Sequence, residues 1–143
     1  MSKYKVINTQ FKNARSILNA LEDLEIQPDV AEDVYQLTLH LFGYQGDLRA
    51  EKASIAVRRA DVNKWSGGWS NDIGFAWNEE QQVFDAIVSE YDERNAGCTR
   101  LMNKIRQRYA YHEISEKAAE RGYTIAAEQE VDGVIHLSFA KRY

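Results

Sequence analysis

Gln107-Arg108-Tyr109-Ala110-Tyr111-His112 is the stretch from which the fold is read. It puts a guanidinium, two phenols and an imidazole inside a proline-free run from about Ala96 to Arg121, closed by Gly122. Glycine after a helical run is a stop signal, because it enters left-handed backbone at no steric cost. Cys98, Leu101, Met102 and Ile105 recur at steps of three and four, so one stripe of the predicted helix is apolar. Such a helix needs a sheet to cover, and the flanking chain reads mostly as strand.

Upstream, residues 3–11 alternate and predict a strand with Ile7, Thr9 and Phe11 on one face. Ala14, Ile17, Leu18, Leu21 and Leu24 then predict an amphipathic helix, N-capped by Asn13 and ending before Pro28. Residues 29–36 are acidic and weakly patterned, as in a loop. Residues 37–44 alternate again, with Leu37, Leu39 and Leu41 opposite His40, Phe42 and Tyr44. After a turn at Gln45-Gly46-Asp47, residues 52–59 predict a third strand with Ile55, Val57 and Arg59 in one register. Residues 60–71 read as a long loop made flexible by Gly67-Gly68 and carrying Trp65 and Trp69. Strands follow over 72–78, with Ile73, Phe75 and Trp77 on one face, and over 83–88; a polar connection spans 89–95. Beyond the long helix, 123–130 and 134–141 predict a hairpin across Val131-Asp132-Gly133, with Ile135, Leu137 and Phe139 inward. The expected fold is one α+β domain over 1–143, in the order β-α-β-β-β-β-α-β-β. A single antiparallel-rich sheet carries two helices on one face, and a ferredoxin-like arrangement is the first topology this order suggests.

Composition narrows the function classes. With 143 residues, 44% hydrophobic and 28% charged, the chain is long enough to bury a core without staples. A net charge of -4 argues against a general nucleic-acid binder, which needs surplus cations to displace phosphate counterions. The single cysteine, Cys98, excludes an internal disulfide and any multi-cysteine metal site, which fits a reducing cytosolic setting. No apolar run is long enough to span a membrane, and residues 1–5 lack the apolar core of a signal peptide. Gly43-Tyr44-Gln45-Gly46 has neither the lysine nor the spacing of a phosphate-binding loop, and no cofactor is expected.

Arg108 and His112 stand four residues apart on the helix and share a face. With Tyr109 and Tyr111 near by, they suit a phosphate or carboxylate, arginine as a fork and histidine as a pH-sensitive donor, or acid–base chemistry. The competing reading is that Tyr109 and His112 extend the buried stripe and use their polar tips within the fold. His40 and His136 lack a third ligand at zinc spacing, so no metal is expected. Cys98 reads as a buried thiol. Asp72 and Asn78, at the two ends of a strand, also suit cap and turn roles.

Three motifs carry a resemblance over nearly the whole chain. They are Gly43-Tyr44-Gln45-Gly46-Asp47-Leu48-Arg49, Asp72-Ile73-Gly74-Phe75-Ala76-Trp77-Asn78, and the 107–112 stretch. Together they resemble the family of hypothetical chloroplast reading frame 35, also called domain of unknown function 1257. The family motif reads more like Gly-Tyr-Arg-Gly-Gln-x-Arg, whereas this chain has Gln45 and Asp47 at the third and fifth places. The resemblance implies no enzymatic activity. It implies an accessory or adaptor protein working through a protein partner, with photosynthetic assembly or an AAA-type ATPase as the associated systems. The setting it implies is a cytoplasm, a plastid stroma or the host cytoplasm of a phage. Trp65 and Trp69 are the candidate partner contacts. A small anionic or nucleotide-like ligand is the alternative, drawing on Tyr44, Arg49, Asp72, Trp77 and Asn78 from the first two motifs and Arg108, Tyr111 and His112 from the third. A His112-dependent hydrolase or nuclease ranks last, because no nucleophile or metal cluster accompanies it.

Overall fold

Alternation makes Tyr4–Phe11 a strand, β1, and three-four spacing makes Ala14–Asp23 a helix, α1. The computed structural model describes residues 3–142; Met1, Ser2 and Tyr143, which the 1–143 domain expectation includes, lie outside them. Asn13 caps α1, its side chain accepting from the Arg15 backbone N–H at 3.0 Å. Ile17, Ala20 and Leu21 are fully buried on the helix. Asp29–Val30 forms a short strand, β2, where a loop was expected. Leu39–Phe42 (β3) and Leu48–Ala53 (β4) make a hairpin. Leu37 falls before that strand and is exposed.

The strand expected over 52–59 divides at Ser54. Its first part ends β4, and Ile55–Val57 forms β5 in a different sheet. Arg59 does not continue the strand register, and most of the expected 60–71 loop is helix. Arg59–Ser66 forms α2, which turns the fully buried Val62 and the partly buried Trp65 toward the core. Asp61 in its first turn and Lys64 in its last suit the helix dipole. Gly67, at φ 94°, takes the left-handed cap position, so this glycine ends a helix and does not loosen a loop.

Ile73–Asn78 (β6) and Val83–Ser89 (β7) follow as a hairpin. A single turn, α3 (Glu90–Glu93), replaces the expected polar connection. Helix α4 runs from Ala96 to Glu120 with Gly122 just beyond it at φ 82°. Tyr123–Val131 (β8) and Val134–Lys141 (β9) close the fold as the expected hairpin.

The class is α+β, with helices against an open antiparallel sheet. The strands do not share one sheet, however. Five form the order β1-β7-β6-β5-β2, while β3-β4 and β8-β9 are separate two-stranded ribbons. Every pairing in the main sheet is antiparallel, so β1 and β2, the strands that flank α1 in sequence, run the same way at opposite edges. A ferredoxin-like unit has one strand between such a pair; here β5, β6 and β7 supply three. Helix α4 leads to a separate ribbon and returns no strand to the sheet, which removes the second such unit.

Helices α1, α2 and α4 cover one face of the sheet, over Phe11, Ile55, Val57, Ile73, Phe75 and Phe84. The β3-β4 ribbon covers the other through Leu41 and Ala53, against Ala56, Ala76 and Ile87. Small residues let this ribbon approach closely. A Cβ on Gly74 would stand 2.8 Å from the Ala53 Cβ, so the glycine of the 72–78 motif is a packing requirement.

Candidate functional site

Two of the three motifs meet at one end of the sheet, and Asp72 joins them. Its side chain is 1% exposed. Oδ1 accepts from the Arg59 backbone N–H at 2.8 Å, at the start of α2. Oδ2 accepts from the Phe42 backbone N–H and from Arg58 Nη1, each at 2.8 Å. The Asp72 carbonyl accepts from the Tyr4 hydroxyl at 2.8 Å. One residue thus ties β1, β3, α2 and β6 together. Burial, then the Asp72 charge, pushes the Tyr4 phenol well above its ordinary range. Arg58 also reaches the His40 carbonyl at 2.8 Å and Asp29 at 2.6 Å.

The Gly43–Arg49 turn is anchored to the same corner, because the Tyr44 backbone N–H donates to Asn71 Oδ1 at 2.9 Å. Arg49 places its guanidinium 5.3 Å from the Tyr4 ring centre and 3.8 Å from the Asp47 carboxylate. Behind the turn lies a buried polar chain. Asn71 and Ser89 donate to Asp92 Oδ2, and Cys98 Sγ lies 3.7 Å from Asp92 Oδ1. Burial, reinforced by the Asp92 charge, pushes the Cys98 thiol up to about 12. Buried and directed at Asp92, that thiol packs as a structural group.

Trp69 stands out at this corner. Its backbone lies at φ 64°, a conformation that a bulky residue rarely adopts, and it is 73% exposed. The neighbours hold it there. Ser70 and Asn71 are buried on one side, the Ser70 N–H donates to Asn63 Oδ1 at 2.9 Å, and the Gly68 N–H donates to Ser66 Oγ at 3.2 Å. The Tyr44 ring lies edge-on to the indole at 6.0 Å and is itself exposed. Trp65 is different: it packs on the core from α2, with the Arg100 guanidinium 5.6 Å from its ring centre.

The third motif lies elsewhere, in the helix layer on the opposite face of the sheet. Tyr109 is buried, and its hydroxyl accepts from the Lys12 and Asn13 backbone N–H groups at 2.8 and 3.1 Å. Arg108 donates to Asp23 on α1 at 2.8 Å and to Glu128 on β8. His112 Nε2 lies 2.7 Å from the same Asp23 oxygen, and Tyr111 stacks on Arg108, with 4.1 Å from guanidinium carbon to ring centre. Partial burial raises the Asp23 pKa, but the hydrogen bonds from Arg108 and His112 outweigh it and hold the carboxyl below its ordinary value. Arg108 and His112 therefore clamp α1, α4 and β8 to one another.

Trp77 and Asn78 serve the β6-β7 hairpin. Trp77 packs between Phe84 and Tyr35, and Asn78 accepts from Gln81 N and donates to Asp85. Asp72 and Asn78 thus hold the cap and turn positions that a strand's two ends suggest. Arg58 and Arg59 read from the sequence as scattered cations, Asp92 as a solvated turn and Asn71 as the end of a loop, whereas Asp92 and Asn71 are buried and Arg58 pairs with Asp72. Their partners at this corner are separated by 13 to 29 residues of chain, with no local pattern to announce them. Among the described residues, no group of three His, Cys, Asp or Glu side chains could hold a metal ion, and no helix is long and apolar enough to cross a membrane.

Comparison with curated proteins and with solved structures returns no match. The family described as protein of unknown function (DUF1257) matches residues 20–138, a span that takes in all three motifs. Over most of its length, then, this chain belongs to the DUF1257 family.

Proposed function

We propose that this protein is a non-catalytic accessory protein that acts by binding a protein partner, with the contact centred on Trp69 and Tyr44. The observation that carries the reading is the indole itself. Left-handed backbone costs a bulky residue on the order of 1–3 kcal/mol. Here that cost is met to hold Trp69 in solvent, 73% exposed, between buried Ser70 and the end of α2. Rigid exposed tryptophan and tyrosine are the side chains that anchor interface centres. The systems suggested by the resemblance to chloroplast reading frame 35, an AAA-type ATPase or a photosynthetic assembly, are the first partners to test, in a cytoplasmic or plastid setting.

The test is photocrosslinking in a native extract from benzoylphenylalanine placed at Tyr44, with the same group at Glu120 as a distant control. One partner labelled from position 44, and lost when Trp69→Ala is added, supports the reading. Equal labelling with and without the indole overturns it.

A second reading, binding of a small anion at the same corner, is favoured by Arg59. Its guanidinium reaches to 3.2 Å from the place a Cβ on Gly46 would take, and it has no hydrogen-bond or ion-pair partner among the described residues. A phosphate- or nucleotide-dependent rise in melting temperature that Arg59→Ala abolishes would support it. Identical melting with and without these anions would reject it.

A further inference from the structure

The β8-β9 ribbon has two outer edges, and that of β9 differs from the other strand edges among the described residues. β1 is an outer strand interrupted by a bulge, with Gln10 at φ 74°, and it carries Lys5. β2 is two residues long and β3 four. β4 carries Arg49, Glu51 and Lys52, and β8 carries Glu128 and Glu130. Charges, bulges and shortness are the devices that stop an edge from recruiting another strand. β9, Val134-Ile-His-Leu-Ser-Phe-Ala-Lys141, has eight residues, no proline, no glycine and a single lysine at its end.

The ribbon is also under-buried for its composition. Val131, Val134, Phe139 and Tyr123 are all exposed, as is Ile114 on α4. Ile114, Tyr123 and Phe139 line an open apolar cleft of about 380 Å³ between α4 and the ribbon. A two-stranded ribbon is marginal in water unless further strands or a helix complete it. Ion pairs Lys104–Glu130 and Arg108–Glu128 tie β8 to α4, while the outer edge of β9 pairs with no strand among the described residues.

We infer that this edge pairs with a second copy of the chain, β9 against β9 antiparallel, so that two ribbons become one four-stranded sheet. An antiparallel edge is its own complement, which a two-fold axis uses without any further design. Symmetry restricts the register. With the axis perpendicular to the sheet, residues facing α4 must oppose residues facing α4, so the numbers of opposed residues sum to an even value. Centred on Leu137, the pairing sets Ile135 against Phe139 of the other copy and His136 against Ser138. The apolar face then runs unbroken across both copies, and the exposed Phe139 rings are covered. It also brings Lys141, the one charged side chain of β9, to the partner copy's turn at Asp132-Gly133, giving an opposite-charge contact twice over. An acidic or apolar peptide adding to the same edge is the competing occupant that the experiment distinguishes.

The measurement is sedimentation velocity on the purified full chain over a dilution series. Wild type is expected to show a concentration-dependent dimer. His136→Glu/Ser138→Glu changes two exposed positions, leaves the circular dichroism unchanged and sets glutamates opposite one another, so it is expected to sediment as a monomer. Mixing it with His136→Lys/Ser138→Lys is expected to restore the dimer. Mild oxidation of Leu137→Cys is expected to give a covalent dimer, whereas Val134→Cys, far from the axis, gives none. Monomeric wild type at every concentration would overturn the inference. So would a glutamate variant that dimerises like wild type, or a Val134→Cys that links as well as Leu137→Cys.

Discussion

Replacing Asp72 by asparagine is the sharpest test of how this corner is held. The change keeps shape and removes one acceptor. In wild type, Oδ1 serves the Arg59 N–H, while Oδ2 serves the Phe42 N–H and Arg58. An amide can face only one of these sides with oxygen. Its better orientation keeps the two bonds on the Phe42 side and points NH₂ at the Arg59 N–H, donor against donor. A buried donor left unpaired costs about 1–3 kcal/mol. Arg58 loses a charged partner as well, but its side chain is 28% exposed and keeps Asp29, so solvent screening holds that loss to about 0.5 kcal/mol. The expected total is about 1.5–3.5 kcal/mol, and about 3–5 kcal/mol for Asp72→Ala, which strands both backbone donors. Urea unfolding followed by tryptophan fluorescence reads this as a lowered midpoint at constant slope. An Asp72→Asn midpoint equal to wild type would refute the reasoning. So would a double-mutant cycle with Arg58→Met that shows no coupling.

Three further outcomes follow from the same geometry. Gly97→Ala adds a Cβ 1.9 Å from the Trp65 carbonyl oxygen, a backbone atom that cannot swing away. The clash, about 3 kcal/mol or more, exceeds the gain of about 1 kcal/mol in helix propensity, so calorimetry should show a lower melting temperature. Trp69→Gly relieves left-handed strain and should raise stability by about 1 kcal/mol while abolishing partner capture; a loss of stability would show that the indole is packing and not display. Cys98 should resist thiol reagents until the protein unfolds. Its folded pKa is raised from 9.0 to about 12, so its stabilising contribution is complete below pH 9.0 and is lost as pH climbs from there toward 12. Tyr4, raised from 10.0, acts in the same direction, and urea midpoints measured across that range should fall.

Elements with long periodic patterns are readable from sequence: α1 with its Asn13 cap, α4 with its glycine stop, and the β6-β7 and β8-β9 hairpins. Helix α2 is hidden because two turns hold only Val62 and Trp65 as an apolar face, and the following Gly67-Gly68 resembles a loop as much as a cap. The division at Ser54 is hidden because alternation tells which side a residue faces and not which strand lies beside it. Candidate residues fared by the same rule. Tyr44 and Trp69 are exposed where the sequence suggested contacts, because each follows glycine in a connection outside the helices and strands and has little to bury against. Arg108 and His112 looked free because their shared partner, Asp23, lies 85 and 89 residues away.

The sheet order also governs how the chain can acquire its fold. Tyr4 pairs with Ser89, and Phe11 with Phe84, so the first strand made waits for one of the last in the sheet. Until then α1 has no finished surface to cover, and the Lys12 and Asn13 amides lack the Tyr109 hydroxyl that will receive them. The β6-β7 hairpin, whose contacts are local, is the segment that can organise first. A ribosome releasing this chain therefore exposes an unpartnered amphipathic helix and an unpaired N-terminal strand until most of the sequence has emerged. Folding then finishes by closing β1, α1 and α4 over a sheet already begun at β6-β7.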